Sequence, residues 1–261
     1  MDHKPVYYGE YLQLDKILDA QDPESGKDKK TMAHDEMLFI IIHQSYELWF
    51  KQVLFEVNSI IEIMDKPRVN DNSGDMQAVV HRLNRVVTIL RMLVQKIDIL
   101  DTMTPMDFLD FRDMLRPASG FQSWQFKVLE ARLGLKFDNR FGQQYYLSQL
   151  NQKEIDIIKN AEKGKSVVQL LNSWLERMPF AEDKKYWPEE HNYWTEYEKI
   201  FTGSLSEAEK NNAAFFKHYL FTNDNNAERS LSSKACRSAL FIMLYRGYPM
   251  LELPFQLLNT L

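Results

Sequence analysis

The sequence predicts an all-α fold, a helical bundle of two long helices with several shorter helices packed against them. Three observations carry that expectation. The stretch from His34 to Phe55, HDEMLFIIIHQSYELWFKQVLF, places large apolar residues at helical spacing. A second run places Val79, Val80, Leu83, Val86, Val87, Leu90, Leu93, Val94 and Ile97 at the same spacing. No stretch sustains the period-two alternation of a strand. With 44% hydrophobic and 13% aromatic residues, the 261-residue chain has ample material for a core, and it reads as one all-helical domain over 1–261.

The elements follow in chain order. Val6 to Leu18 makes a short apolar face with Leu12, Leu14, Ile17 and Leu18, and Gly9 is expected to loosen any early helix. Asp22 to Lys30 is a polar loop with Pro23 and Gly26. The first long helix should run from Asp35 to Met64 and stop near Pro67, before the turn Asn70 to Asp75. The second should run from Met76 to Leu100.

Thr104-Pro105-Met106-Asp107 is a helix start: threonine caps, proline takes the first position and an acid occupies the first turn. That helix ends at Pro117, and Ser119 with Gln122 opens the next, closed by Gly134. Asn151 with Glu154, Ser166 with Gln169 and Ser206 with Glu209 repeat the capping pattern. Helices are expected near 152–163, 167–177, 189–201, 206–221 and 230–245, with Trp174, Trp187 and Trp194 packing them onto the long pair. The last residues, LELPFQLLNTL, end inside an amphipathic pattern without a helix stop, as a part of something longer would.

Bulk properties exclude several classes. Net charge is −5, and the one basic cluster (Lys27, Lys29, Lys30) is broken by Asp28, so nucleic acid and anionic membrane are not expected partners. A single cysteine, Cys236, excludes an intramolecular disulfide and a cysteine-rich metal site. Without a signal peptide or a transmembrane run, the cytoplasm is the expected compartment. There is no His-Glu-x-x-His, no glutamate three residues before any histidine, no phosphate-cradling glycine loop and no Gly-x-Ser-x-Gly elbow.

Two residues stand out. At about 100° per residue, Phe39, His43, Tyr46 and Phe50 form one stripe, beside Ile42, Trp49 and Val53. His43 is either a core histidine with local partners or an imidazole that hydrogen-bonds a ligand held between aromatic rings. Arg112 lies four positions after Phe108 and shares its face. It either pairs with Asp110, Asp113 or another acid, or clamps a ligand carboxylate beside an aromatic wall. Together these residues would recognise an aromatic ring, a ring N–H and a carboxylate, the outline of tryptophan.

At these stretches the chain resembles the tryptophan 2,3-dioxygenase family: YGEYLQLDKIL (Tyr8 to Leu18), HDEMLFIIIHQSYELWFKQ (His34 to Gln52), MTPMDFLDFRDMLRPASGFQSWQF (Met103 to Phe126) and SALFIMLYRGYPMLELPFQLL (Ser238 to Leu258). The resemblance implies an all-helical homotetramer that uses haem b to insert dioxygen across the indole C2–C3 bond of L-tryptophan, giving N-formyl-L-kynurenine. It implies that Phe39 and Phe108 pack the indole, that His43 is the distal histidine bonding the indole N–H, and that Arg112 holds the carboxylate. Tyr8 and Tyr11 match tyrosines that reach a neighbouring subunit's site, and Ser119 and Gly120 match a loop near a haem propionate.

One departure accompanies the match. The family's proximal histidine and a threonine-bearing glycine-rich loop follow the LPFQLL segment, and this sequence stops at Leu261. None of its histidines (His3, His34, His43, His81, His191, His218) matches the proximal position, so the axial ligand is not identifiable. The expectation is a dioxygenase with its substrate side intact and its haem-ligand segment absent. The alternative is a shortened, non-catalytic member that binds an indole compound or assembles with full-length subunits.

Overall fold

Capped helix starts and apolar periodicity turn most of this chain into helix. The computed structural model describes residues 5–28, 31–135, 147–177, 193–222 and 230–261. Among them are fourteen α-helices and no strand, as the periodicity predicts. They divide into two compact units, one of Met1–Gln52 with Ile89–Ser123, the other of Val53–Thr88 with Trp124–Leu261.

The first unit begins with α1 (Tyr8–Leu12), α2 (Leu14–Leu18) and α3 (Ser25–Asp28). Gly9 lies inside α1, and the break falls instead at Gln13, whose φ of 52° is left-handed. The long α4 (His34–Met64) follows with the predicted bounds to within a residue. Two polar clasps fasten the preceding segment to it. Gln44 donates to the Ala20 carbonyl at 2.9 Å and accepts from the Gln21 side chain at 2.6 Å. Buried Glu36 accepts from the backbone amides of Glu24 at 2.8 Å and Ser25 at 2.9 Å, while the Ser25 hydroxyl accepts from Ala33 N at 2.9 Å. Burial alone would raise the Glu36 pKa, but the Ser25 side chain and these amides outweigh it and hold the carboxyl below its usual value.

The second long helix is shorter than predicted. α5 (Gly74–Gln95) stops before α6 (Ile97–Leu100), because the Leu93 carbonyl, which Ile97 would use in a continuing helix, accepts from Tyr46 Oη at 2.6 Å and Lys96 N at 3.2 Å. α7 (Pro105–Arg112) starts at the Thr104 capping box, with Thr104 N donating to Asp107 at 2.9 Å. The helix expected from Ser119 to Gly134 divides in two. The Ser119 cap opens only a 3-10 turn over Gly120–Gln122, where the Ser123 amide returns to the Gly120 carbonyl.

The second unit contains α8 (Trp124–Leu133), which ends at Gly134 with a φ of 124°. It continues with α9 (Gln152–Lys163), α10 (Val167–Glu176), α11 (Tyr193–Ser204), α12 (Asn212–Phe221), α13 (Ser233–Leu244) and α14 (Glu252–Thr260). Within this unit α8 packs on α9, and α13 packs on both α10 and α12. The later half of α4 and the earlier half of α5 run antiparallel, tied by Arg85 to Glu56 and Lys66 to Asp75, each at 2.6 Å. They bury Val53, Val57 and Ile60 together with Met76, Val79, Leu83 and Val86. Asn151 and Ser166 cap α9 and α10 as predicted, whereas the Ser206 cap opens a 3-10 turn before α12. Trp187, His191 and the start of the helix expected at 189–201 lie outside the described residues. Among the described residues no helix is long and apolar enough to cross a membrane.

Candidate functional site

The sequence-predicted aromatic residues converge in the first unit. Phe39 and His43 stand one turn apart on α4, and their rings lie 4.1 Å apart between centroids. Phe108, on α7, meets Phe39 at 5.6 Å with an interplanar angle of 30°. Arg112 follows one turn later on α7, its guanidinium carbon 5.7 Å from the Phe108 ring centre. The contacts run without a gap from His43 through Phe39 and Phe108 to Arg112.

These two phenylalanines form one wall. Slipping an aromatic ring between them would need about 7 Å, twice the contact distance of carbon atoms. At 5.6 Å they already touch, so a planar ligand meets their outer faces. The reason is Phe111, which the sequence offers only as another apolar residue of α7. It is fully buried and stands edge-on to Phe39 at 5.5 Å and 64°, and to Phe108 at 5.4 Å and 87°. Its spacing three residues after Phe108 was the one available signal.

The polar groups at the wall are incompletely used. His43 Nδ1 lies 2.7 Å from the Phe39 carbonyl oxygen, which can only accept, so this nitrogen carries the proton. In the neutral ring Nε2 is then a bare acceptor, and His43 is exposed. One nitrogen has a local partner, as the first reading expects, but the ring is exposed and not in the core, and Nε2 has no hydrogen-bond partner among the described residues. Arg112 is exposed, and among the described residues no carboxylate comes within salt-bridge distance of it. Asp113 pairs with Arg116 at 3.2 Å instead.

The remaining predicted residues stand apart from the wall. Tyr8 and Tyr11 on α1 are each 75% exposed and share no ring contact with it among the described residues. Ser119 and Gly120 are exposed at the 3-10 turn, where the Ser119 hydroxyl accepts from Phe121 N at 3.3 Å. A Cβ added at Gly120 would meet nothing within 4 Å. Among the described residues no group of three or more histidine, cysteine or acidic side chains could hold a metal ion.

The described residues thus bring an aromatic wall, an imidazole and a guanidinium together on an all-helical frame. Comparison with known proteins gives the chain its family. The family model described as tryptophan 2,3-dioxygenase matches residues 2–219. Tryptophan 2,3-dioxygenase of Bdellovibrio bacteriovorus is 37% identical over 100% of this chain and 78% of its own length. The Alteromonas mediterranea protein of that name is 42% identical over 99% and 77%, and that of Dictyostelium discoideum 40% over 99% and 70%. The chain belongs to the tryptophan 2,3-dioxygenase family, a family of oxidoreductases.

Proposed function

We propose that this chain binds L-tryptophan on the Phe39–Phe108 wall and acts as a haem-dependent dioxygenase of tryptophan catabolism. The observation that carries the reading is a pair of polar groups at the two ends of one aromatic wall, His43 Nε2 and the Arg112 guanidinium, neither with a hydrogen-bond partner among the described residues. The indole lies against the rings and donates its N–H to His43 Nε2. Arg112 takes the carboxylate through two parallel hydrogen bonds. Held at both ends, the indole presents C2 and C3 in a fixed direction, and the apolar wall keeps water from that face.

The donor set fits the substrate side and edge of a haem. His43 presents Nε2 beside the wall, and Ser119, with the open space at Gly120, offers a hydroxyl to a propionate. His34 lies nine residues before His43 on α4, about half a turn around the helix, so it does not join His43 on the wall. When bound, the haem supplies the binding and activation of dioxygen at ferrous iron. The overall change breaks the C2–C3 bond and places one oxygen atom on each carbon, so N-formyl-L-kynurenine contains every atom of both reactants. A homotetramer in the cytoplasm, with Tyr8 and Tyr11 reaching a neighbouring subunit, is part of the proposal. Their 75% exposure supports it.

The test is oxygen uptake by the haem-loaded, reduced chain, with the ferrous–carbon monoxide spectrum recorded alongside. Uptake that requires L-tryptophan, with a histidine-ligated spectrum, is the expected result. Saturable tryptophan binding without uptake by the haem-loaded chain would sink the catalytic reading and leave a binding protein.

A further inference from the structure

We propose that Phe111 is the positioning residue that limits the size of the indole the site admits, because it is buried in edge-on contact with both Phe39 and Phe108; this rests on the tryptophan-binding reading above. Phe111 has no accessible surface, so it acts through its two neighbours and not on a ligand. Its ring stands edge-on to both, at 5.5 and 5.4 Å, while Phe39 and Phe108 lie within 30° of parallel. Edge-on contact with a fully buried ring limits how far either of them can recede. Both front rings are only half-buried, so their outer faces are the ones a ligand meets.

The consequence is a fixed depth in front of the wall. Trimming Phe111 opens space behind, into which Phe39 or Phe108 can retreat. The space in front grows by the same movement, and a substituent on the indole ring gains room that the unsubstituted ring does not need. The substitution leaves the backbone of α4 and α7 in place, and with it the positions from which His43 and Arg112 reach the N–H and the carboxylate. A brace that served stability alone would weaken all ligands equally.

The experiment is calorimetric titration of the full chain with L-tryptophan and with 6-methyl-L-tryptophan, for the unaltered protein and for Phe111→Leu. The affinity ratio of the methylated to the plain ligand is expected to rise about tenfold in the variant, the scale of one methyl group in an apolar pocket. An unchanged ratio in a folded variant overturns the proposal. Should Phe111→Leu fail to fold, Phe111→Met nearly conserves volume while replacing the rigid ring by a flexible chain, and it is read the same way. An unaltered chain that binds neither ligand overturns the tryptophan-binding reading, and this inference with it. Binding of both ligands with ratios unmoved by either variant overturns this inference alone.

Discussion

Each unit contains an aromatic cluster, and among the described residues the two differ in how far their rings and polar edges are used. In the second unit, Trp194 and Phe216 are buried among Tyr193, Tyr197, Phe201 and Phe241. Ring packs on ring there: Phe201 stacks on Phe216 at 4.6 Å, and Tyr193 stands edge-on to Trp194 at 4.9 Å. The polar tip of Tyr193 is spent as well, since burial and then a hydrogen bond with Tyr245 drive its hydroxyl pKa upward. In the first unit the cluster is smaller, one ring is buried, and both ends carry polar groups with unused capacity among the described residues. Aromatic density makes a core. Vacant hydrogen-bonding valences at the edge of a wall make a site.

The two units also differ in what holds them. The second relies on apolar burial along α4, α5 and the aromatic cluster. The first also fastens its N-terminal segment by the Glu36 and Gln44 clasps. The largest expected effect therefore lies away from the site. Trp194→Ala should cost about 3–5 kcal/mol in urea denaturation, the usual range for deleting a large buried aromatic. The relative affinity for L-tryptophan and 6-methyl-L-tryptophan should stay unchanged. A loss below about 1 kcal/mol would mean that the cluster is loosely packed and the contrast is wrong.

Arg112→Ala should do the reverse. The side chain is exposed and pairs with no described carboxylate, so stability should hardly move. Removing a charge-assisted contact of about 1.5–3 kcal/mol should weaken L-tryptophan binding roughly ten- to a hundredfold. Tryptamine, which lacks the carboxylate, should bind the variant and the unaltered chain alike. Equal losses for both ligands in calorimetry would remove the clamp.

What the sequence discloses follows the range of the interactions involved. Thr104, Asn151 and Ser166 cap their helices through residues three positions away, and each cap is where the pattern predicts it. The break after Gln95 is invisible, because it depends on Tyr46, 47 positions before Leu93, taking a carbonyl from the helix. The candidate site divides in the same way. Phe39 with His43, and Phe108 with Arg112, are legible as pairs one helical turn apart. That the two pairs form a single wall depends on Phe111 meeting a ring from another helix, which no local spacing reveals. The open valence of Arg112 is equally illegible, since Asp113, its neighbour in sequence, turns to Arg116.

The smallest expected effect concerns the polar support of the first unit, and it separates the units by pH. Glu36 is fully buried and its carboxyl is held below the ordinary value of 4.5, so the unfolded chain takes up this proton at a higher pH than the folded one. Its contribution is complete above the unfolded value and is lost as pH falls through the folded one. Facing it are the Ser25 hydroxyl, the two backbone amides and, as the nearby cation, Lys27, whose own pKa rises through its bonds to Asp22 and Glu24. Glu36→Gln keeps the shape but exchanges a charged acceptor for a neutral one. It should cost about 1–2 kcal/mol at neutral pH, the difference between charged and neutral hydrogen bonds. The gap between the two proteins in urea midpoint should narrow below about pH 4.5, where the unfolded chain begins to take up the proton, until the folded carboxyl is protonated too. Proteolysis of the 20–33 segment should accelerate in the variant at neutral pH, and in the unaltered chain only in acid. A gap that stays constant from pH 7 down to pH 3 would mean that the charge of Glu36 contributes nothing. The clasp would then hold by shape alone, as the apolar core of the second unit does.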